Sequence, residues 1–142
     1  MTSPRVRRLE QTYEAFNAGD LDGAFAIADP AIVWQTPMEF PGAPRFESRD
    51  AARDFFADAL RAFTSFRIEI ERYVERGDHV LAVQRHFARG ADSGIETERR
   101  MAHLWRFDGD RAVAFQAFLD VDQAASELEL RTNRRSIGQK RE

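Results

Sequence analysis

Cysteine is absent from all 142 residues, which excludes disulfides, thiol nucleophiles and any thiolate-held metal, and says nothing further about compartment. No apolar run approaches the ~20 residues a membrane-spanning helix requires. The opening residues Met1 to Arg5 lack the apolar stretch of a signal peptide. The expected address is therefore cytoplasmic, with no membrane partner. A dominant charge is missing as well. The net value of −3 sets up no field favouring nucleic acid, and basic residues do not alternate with exposed aromatics as a nucleic-acid platform requires. Nor is there a glycine-rich phosphate loop, a nucleophile elbow or a cluster with metal-ligand spacing, so neither a cofactor nor a metal is expected.

What is present is enough apolar material for one core. A chain of this length matches one domain and is too short for two. Its 12 phenylalanines supply bulk for a core or for an apolar cavity. Residues 1–130 read as that domain. Residues 131–142 carry Arg131, Arg134, Arg135, Lys140 and Arg141 without apolar periodicity, and are expected to be a solvated, disordered tail, the alternative being a docking segment.

Taken in order, Val6, Leu9, Tyr13 and Phe16 fall at helical spacing over Pro4 to Ala18, and Gly19 stops that helix. Asp20 can cap a shorter helix that Asp29-Pro30 ends. Ile32 to Trp34 reads as a short strand, followed by a proline-punctuated loop from Pro37 to Pro44 that could serve as a lid. Ser48 can cap a third helix whose Ala52, Phe55, Phe56, Ala59 and Leu60 form an apolar stripe ending near Thr64. Alternation from Phe66 to Arg76 predicts a strand, Ala112 to Asp120 another, and Asp122 to Leu130 a last short helix.

The most informative stretch is Val80 to Phe107, two alternating segments joined at Ala91 to Gly94. A two-residue turn at Asp92-Ser93 sets Gln84 opposite Met101 and Ala82 opposite His103. One face then carries Val80, Ala82, Gln84 and His86 beside Met101, His103, Trp105 and Phe107. The other carries Leu81, Val83, Ala102 and Leu104, with Phe118 of the last strand, framed by Arg85, Arg100 and Arg106. That second face suits an isologous homodimer contact. Helices followed by a run of long strands define an α+β fold, helices on one face of a curved antiparallel sheet, with a pocket between.

Several runs together carry a resemblance: Asn17 to Gly23, the Ile32-Val33-Trp34 strand followed by Thr36-Pro37, Glu47 to Ala51, and His103 to Asp120. In order and spacing they resemble the SnoaL-like branch of the nuclear transport factor 2-like superfamily, which includes ketosteroid isomerase, polyketide cyclases and limonene epoxide hydrolase. The resemblance spans about Leu9 to Leu128. It implies a cone-shaped α+β barrel with a deep apolar pocket, commonly dimeric through the outer sheet face. Carried across residue by residue, the isomerase's aspartate base falls at Gln35, its oxyanion tyrosine at Thr12 with Tyr13 adjacent, and its protonated aspartic acid at His103. The hydrolase's last-strand aspartate falls at Ala117, and the aspartate some cyclases use lies near Asp120. The changed groups argue against steroid isomerisation and epoxide hydrolysis by those mechanisms.

The candidates follow from both lines. His103, Tyr13 and Asp120 are the candidate catalytic residues, His103 first, because imidazole can exchange a proton near neutral pH. Trp34, Gln35, Phe56, Gln84, His86, Met101, Trp105, Phe115 and Ala117 are the candidate ligand contacts. Each has a plainer reading as core packing, and Asp120 as a cap. His86 lies four pairs along the ladder from His103, a backbone separation of more than about 10 Å that argues against a shared metal. His79, beside a turn, is expected to be solvated, and Glu39 could bring a carboxylate to the pocket mouth. The expected activity is binding of a small, largely apolar molecule, with cofactor-independent isomerisation, cyclisation or hydration as one possibility and a non-catalytic binding or dimerisation module as the other.

Overall fold

The structure is a computed structural model describing residues 2–37 and 44–141, with side chains as far as residue 133. Ser3 opens α1 (Pro4–Asn17) by accepting the Val6 amide on its hydroxyl, and Pro4 occupies the first turn, where no amide is needed. Gly19, at φ 81°, makes the turn that a side chain would resist. Asp20 then caps α2 (Leu21–Phe25) through the Gly23 amide.

β1 (Ala28–Gln35) begins before the apolar run, so Asp29 and Pro30 lie in a strand instead of ending a helix. A register slip between Ala28 and Val33 accommodates the proline's missing donor, and Asp29 accepts the Ala31 amide. After β2 (Arg45–Phe46), Ser48 caps α3 (Arg49–Ala59) as expected. One 3-10 turn over Leu60–Ala62 then leads straight into β3 (Phe63–Arg76), so the helix stops short of Thr64. β4 (His79–Gly90), β5 (Glu96–Asp108), β6 (Arg111–Phe118) and α4 (Val121–Arg141) complete the order. The lid-like loop and Glu39 lie outside the described residues.

The six strands form one open sheet in the order β2-β1-β6-β5-β4-β3, antiparallel throughout except that β1 runs parallel to β6. This is the expected α+β architecture, a curved and unclosed sheet with α1, α2 and α3 on one face. The central hairpin has the predicted register, Gln84 opposite Met101 and Ala82 opposite His103. Its loop closes where the Gly90 amide donates to the Ile95 carbonyl, with Gly94 at φ 67°.

Parity holds on both faces. Val80, Ala82, Met101, Trp105, Phe107, Phe115 and Ala117 pack against Leu9, Tyr13 and Phe25 of the helices. Leu81, Val83, Ala102, Leu104 and Phe118 share the outer face, the patch expected to carry a dimer contact. α4 lies across them, and Val121, Ala124 and Leu128 bury all five within the chain. A homodimer through that patch would first have to displace α4.

α4 also runs past Leu130 into the basic stretch read as a tail. Arg131 anchors it there, donating to Glu127 one turn back and to Gln116 of β6. His79 is likewise not solvated: it is buried, its Nδ1 lies 2.8 Å from Asp78 Oδ1, and its Nε2 has no partner among the described residues. Among the described residues no helix is long and apolar enough to cross a membrane.

Candidate functional site

Between the helices and the inner sheet face lies an apolar cavity. Its walls are Thr12, Tyr13 and Phe16 from α1, Ala24 and Phe25 from α2, Trp34 from β1, Phe56 from α3, Ile68 from β3, His103 and Trp105 from β5, and Phe115 from β6. The enclosed volume is about 40 Å³, within an envelope of about 370 Å³ that includes the open mouth. Ligand pockets commonly occupy roughly 300–1,000 Å³. The deep hollow expected from the resemblance is thus largely filled by rings: Trp34 stacks on Phe115 at 3.8 Å between centroids, and Phe56 meets Trp34 edge-on at 5.8 Å.

Behind the wall runs one buried hydrogen-bond chain centred on Tyr13. Its hydroxyl lies 2.8 Å from His103 Nδ1, and accepts from Trp105 Nε1 at 3.1 Å and from Gln84 Nε2 at 3.3 Å. Gln84 Nε2 also donates to the Ala82 carbonyl, and Gln84 Oε1 lies 2.6 Å from His86 Nε2.

The chain assigns every proton. A carbonyl only accepts, so the amide nitrogen of Gln84 faces Ala82, its oxygen faces His86, and His86 carries its proton on Nε2. Indole and amide N–H groups only donate, so both lone pairs of the Tyr13 oxygen are taken. Its own hydrogen has one acceptor left, His103 Nδ1. His103 is therefore neutral with its proton on Nε2, and that N–H has no hydrogen-bond partner among the described residues.

Electrostatics reinforces this state. Burial, with the neighbouring His86, holds His103 well below the usual imidazole value, and burial, with Arg99 nearby, lowers His86 to about 4. Burial raises the Tyr13 phenol far above its ordinary value despite the two bonds it accepts. All three groups are neutral at pH 7. The surface lining the cavity is apolar, and no carboxylate stands among the described wall residues.

Of the sequence candidates, Tyr13, Trp34, Phe56, His103, Trp105 and Phe115 come together as cavity wall. Gln84 and His86 stand one layer behind and orient Tyr13. Met101 is core, and Ala117 backs His103 as its partner on β6. The two inner histidines, separated along the ladder in the backbone, bring their ring centroids within 5.6 Å.

Two candidates are corrected. Gln35 pairs with Gln116 on the face opposite Trp34 and Phe115, and its amide donates to the adjacent Thr36 carbonyl. A period-two strand cannot present both Trp34 and Gln35 to one cavity. Asp120 caps α4, its Oδ1 accepting the amides of Asp122 and Gln123, and is exposed outside the cavity. Thr12, Phe16, Ala24, Phe25 and Ile68 were missed as wall residues. Phe16 and Phe25 lay on the helices' apolar stripes, but only the packing of α1 on α2 brings them to one cavity.

A model of the SnoaL-like domain matches residues 9–115. No curated protein matches the chain. Among solved structures, an NTF2-like protein from Burkholderia thailandensis is 29% identical, with 88% of this chain and 98% of that one covered and a TM-score of 0.72. TerC, co-crystallised with polyporic acid, is 17% identical over 89% of this chain and 99% of its own, with a TM-score of 0.74. An epoxide hydrolase of the LEH-like type from M. tuberculosis is 17% identical over 84% and 81%, with a TM-score of 0.68.

Proposed function

The chain belongs to the SnoaL-like domain family, and on that premise we propose that its cavity binds a small, largely apolar molecule through one accepting oxygen held by His103 Nε2–H. The observation that carries this reading is the saturated Tyr13 hydroxyl, which fixes His103 as a donor. A ketone, aldehyde or ether oxygen suits it. A charged ligand does not, since the wall is apolar and carries no countercharge.

The same feature limits the chemistry. Abstracting a proton or activating water needs a base with a free lone pair at the cavity, and His103 has given its only one to Tyr13. What remains is binding, with polarisation of a carbonyl as the one catalytic contribution available. TerC, a neighbour of like fold, was co-crystallised with polyporic acid, so a chain of this fold can take a small molecule.

An occupant larger than one or two waters needs more room than the enclosed volume, so binding widens the cavity. Phe56 and Phe16 are the half-buried rings of that wall.

Titrating labelled protein with cyclohexanone, followed by NMR, tests the proposal. Saturable shifts at His103, weakened about tenfold or more in His103→Phe, are expected. Absence of saturable binding, or equal affinity in the variant, would sink it. Exchange of the ketone's α-hydrogens in D2O should not exceed the buffer rate; clear acceleration would restore the enzymatic alternative.

A further inference from the structure

The chain holds two tyrosines, two tryptophans and no cysteine, so these four rings are its readiest one-electron donors. All four belong to the inner core, with Tyr13, Trp34 and Trp105 buried and Tyr73 half-buried against them. The three buried rings form a series: Trp34 meets Trp105 at 5.6 Å between centroids, and Trp105 meets Tyr13 at 6.4 Å. Tyr73 shares with Tyr13 the groove between α1 and β3.

What separates the buried rings is where a proton can go when an electron leaves. An oxidised phenol or indole is strongly acidic, and a ring that cannot shed its proton holds a bare cation in an apolar core, which is costly. Trp34 Nε1 meets no acceptor among the described residues, and Trp105 Nε1 meets only the oxygen of a phenol. Tyr13 alone of the three is joined to a base, its hydroxyl lying 2.8 Å from His103 Nδ1. At that distance the proton crosses in one step. Burial disfavours the imidazolium while the phenol is intact, so the proton moves only with the electron. Both groups are buried, so the proton stays within the pair.

We propose that Tyr13 is a reversible one-electron redox site, fed through Trp105 and Trp34, with His103 as the acceptor of its proton. In the forward step Tyr13 gives one electron to a diffusible oxidant of the organic peroxyl-radical class, while its O–H bond breaks and an N–H bond forms at His103 Nδ1. The products are a neutral phenoxyl radical, an imidazolium and a peroxide anion, which water protonates. The phenoxyl oxygen keeps the donors of Trp105 and Gln84 and gains the imidazolium N–H. A one-electron donor of the enediol class, such as ascorbate, returns the electron, and the proton goes back from Nδ1 to oxygen. The inference is independent of any ligand in the cavity.

Pulse radiolysis of the full-length Tyr73→Phe protein with azidyl radical as oxidant tests it, because Tyr13 is then the only tyrosine. Indolyl radicals formed first are expected to convert to a tyrosyl radical, the sharp phenoxyl band replacing the broad indolyl one. Conversion should slow in D2O, and ascorbate should erase the radical and restore the protein for a second cycle. Adding His103→Phe, which keeps a ring and removes the base, should abolish the conversion. A persistent indolyl radical in Tyr73→Phe, equal conversion with and without His103, or a rate unchanged in D2O would overturn the proposal. So would a radical that ascorbate removes without restoring the protein. Should the His103 variant not fold, the isotope effect and the cycling in Tyr73→Phe decide alone.

Discussion

Replacing Tyr13 by phenylalanine removes one oxygen and disturbs three partners at once. Trp105 Nε1 and His103 Nδ1 lose their sole hydrogen bonds, while Gln84 Nε2 keeps the Ala82 carbonyl. Each buried polar group left unpaired costs about 1–3 kcal/mol. With two groups fully orphaned and some relaxation of the surrounding rings, the expected loss is about 3 kcal/mol. Urea unfolding followed by tryptophan fluorescence measures it, and the midpoint should fall with the slope unchanged. Trp105→Phe provides the control. It removes one of the donors that Tyr13→Phe strands, so the double variant should be less destabilised than the sum of the single ones by about 1 kcal/mol. Nitrogen shifts of His103 should report the Nε2–H tautomer in the wild type and a mixture in Tyr13→Phe. A loss under about 1 kcal/mol, with strict additivity, would refute the proton assignment and the donor role built on it.

Acid should weaken the fold before carboxylates titrate. His86, at about 4 when folded, and His103, also depressed, both sit below the unfolded value of ~6.5, so stability is full above about pH 6.5 and falls as pH drops, by about 1.4 kcal/mol per pH unit for each histidine. Asp29 and Glu71, whose folded values are lowered, add their loss only below about pH 4; denaturant midpoints that stay flat from pH 6.5 to 5 would contradict the neutral-histidine account. Asn17 clamps α1 to β3 by donating to the Ile68 carbonyl and accepting the Ile68 amide, each at 2.8 Å, so Asn17→Ala should cost about 1–3 kcal/mol and speed hydrogen exchange at the Ile68 amide. Asp120→Ala should cost about 1 kcal/mol through the lost cap on α4 and leave cyclohexanone affinity untouched, as thermal melts and the NMR titration would record.

Much of this was legible beforehand because strands count in twos. Once the hairpin register was set at Asp92-Ser93, every inward and outward side chain of β4 and β5 followed, and the structure keeps that parity. Capping was equally readable at Asp20 and Ser48, each of which precedes a helix. Distances across the sheet were not. Counting pairs along the ladder gives the backbone separation of His86 and His103, whereas their ring centroids come within 5.6 Å. The fate of the outer apolar face was misread for a different reason. Val121, Ala124 and Leu128 announce a helix, but nothing in their spacing says that it folds back over Leu81 and Leu104. How full the cavity is depends on the rotamers of Phe56 and Trp34, which sequence periodicity does not encode.

The parallel pairing of β1 with β6 has a consequence for synthesis. β3 to β6 zip up as neighbours in a meander, each strand meeting the one just made. β1, completed early, has almost no partner until β6 emerges from the ribosome, because β2 offers it only two residues. The segment up to Gln35 therefore waits, its indole at Trp34 still wet, until β6 has been made. Chains stalled before β6 should show that indole emitting as in the denatured protein, and native-like emission from them would contradict this order.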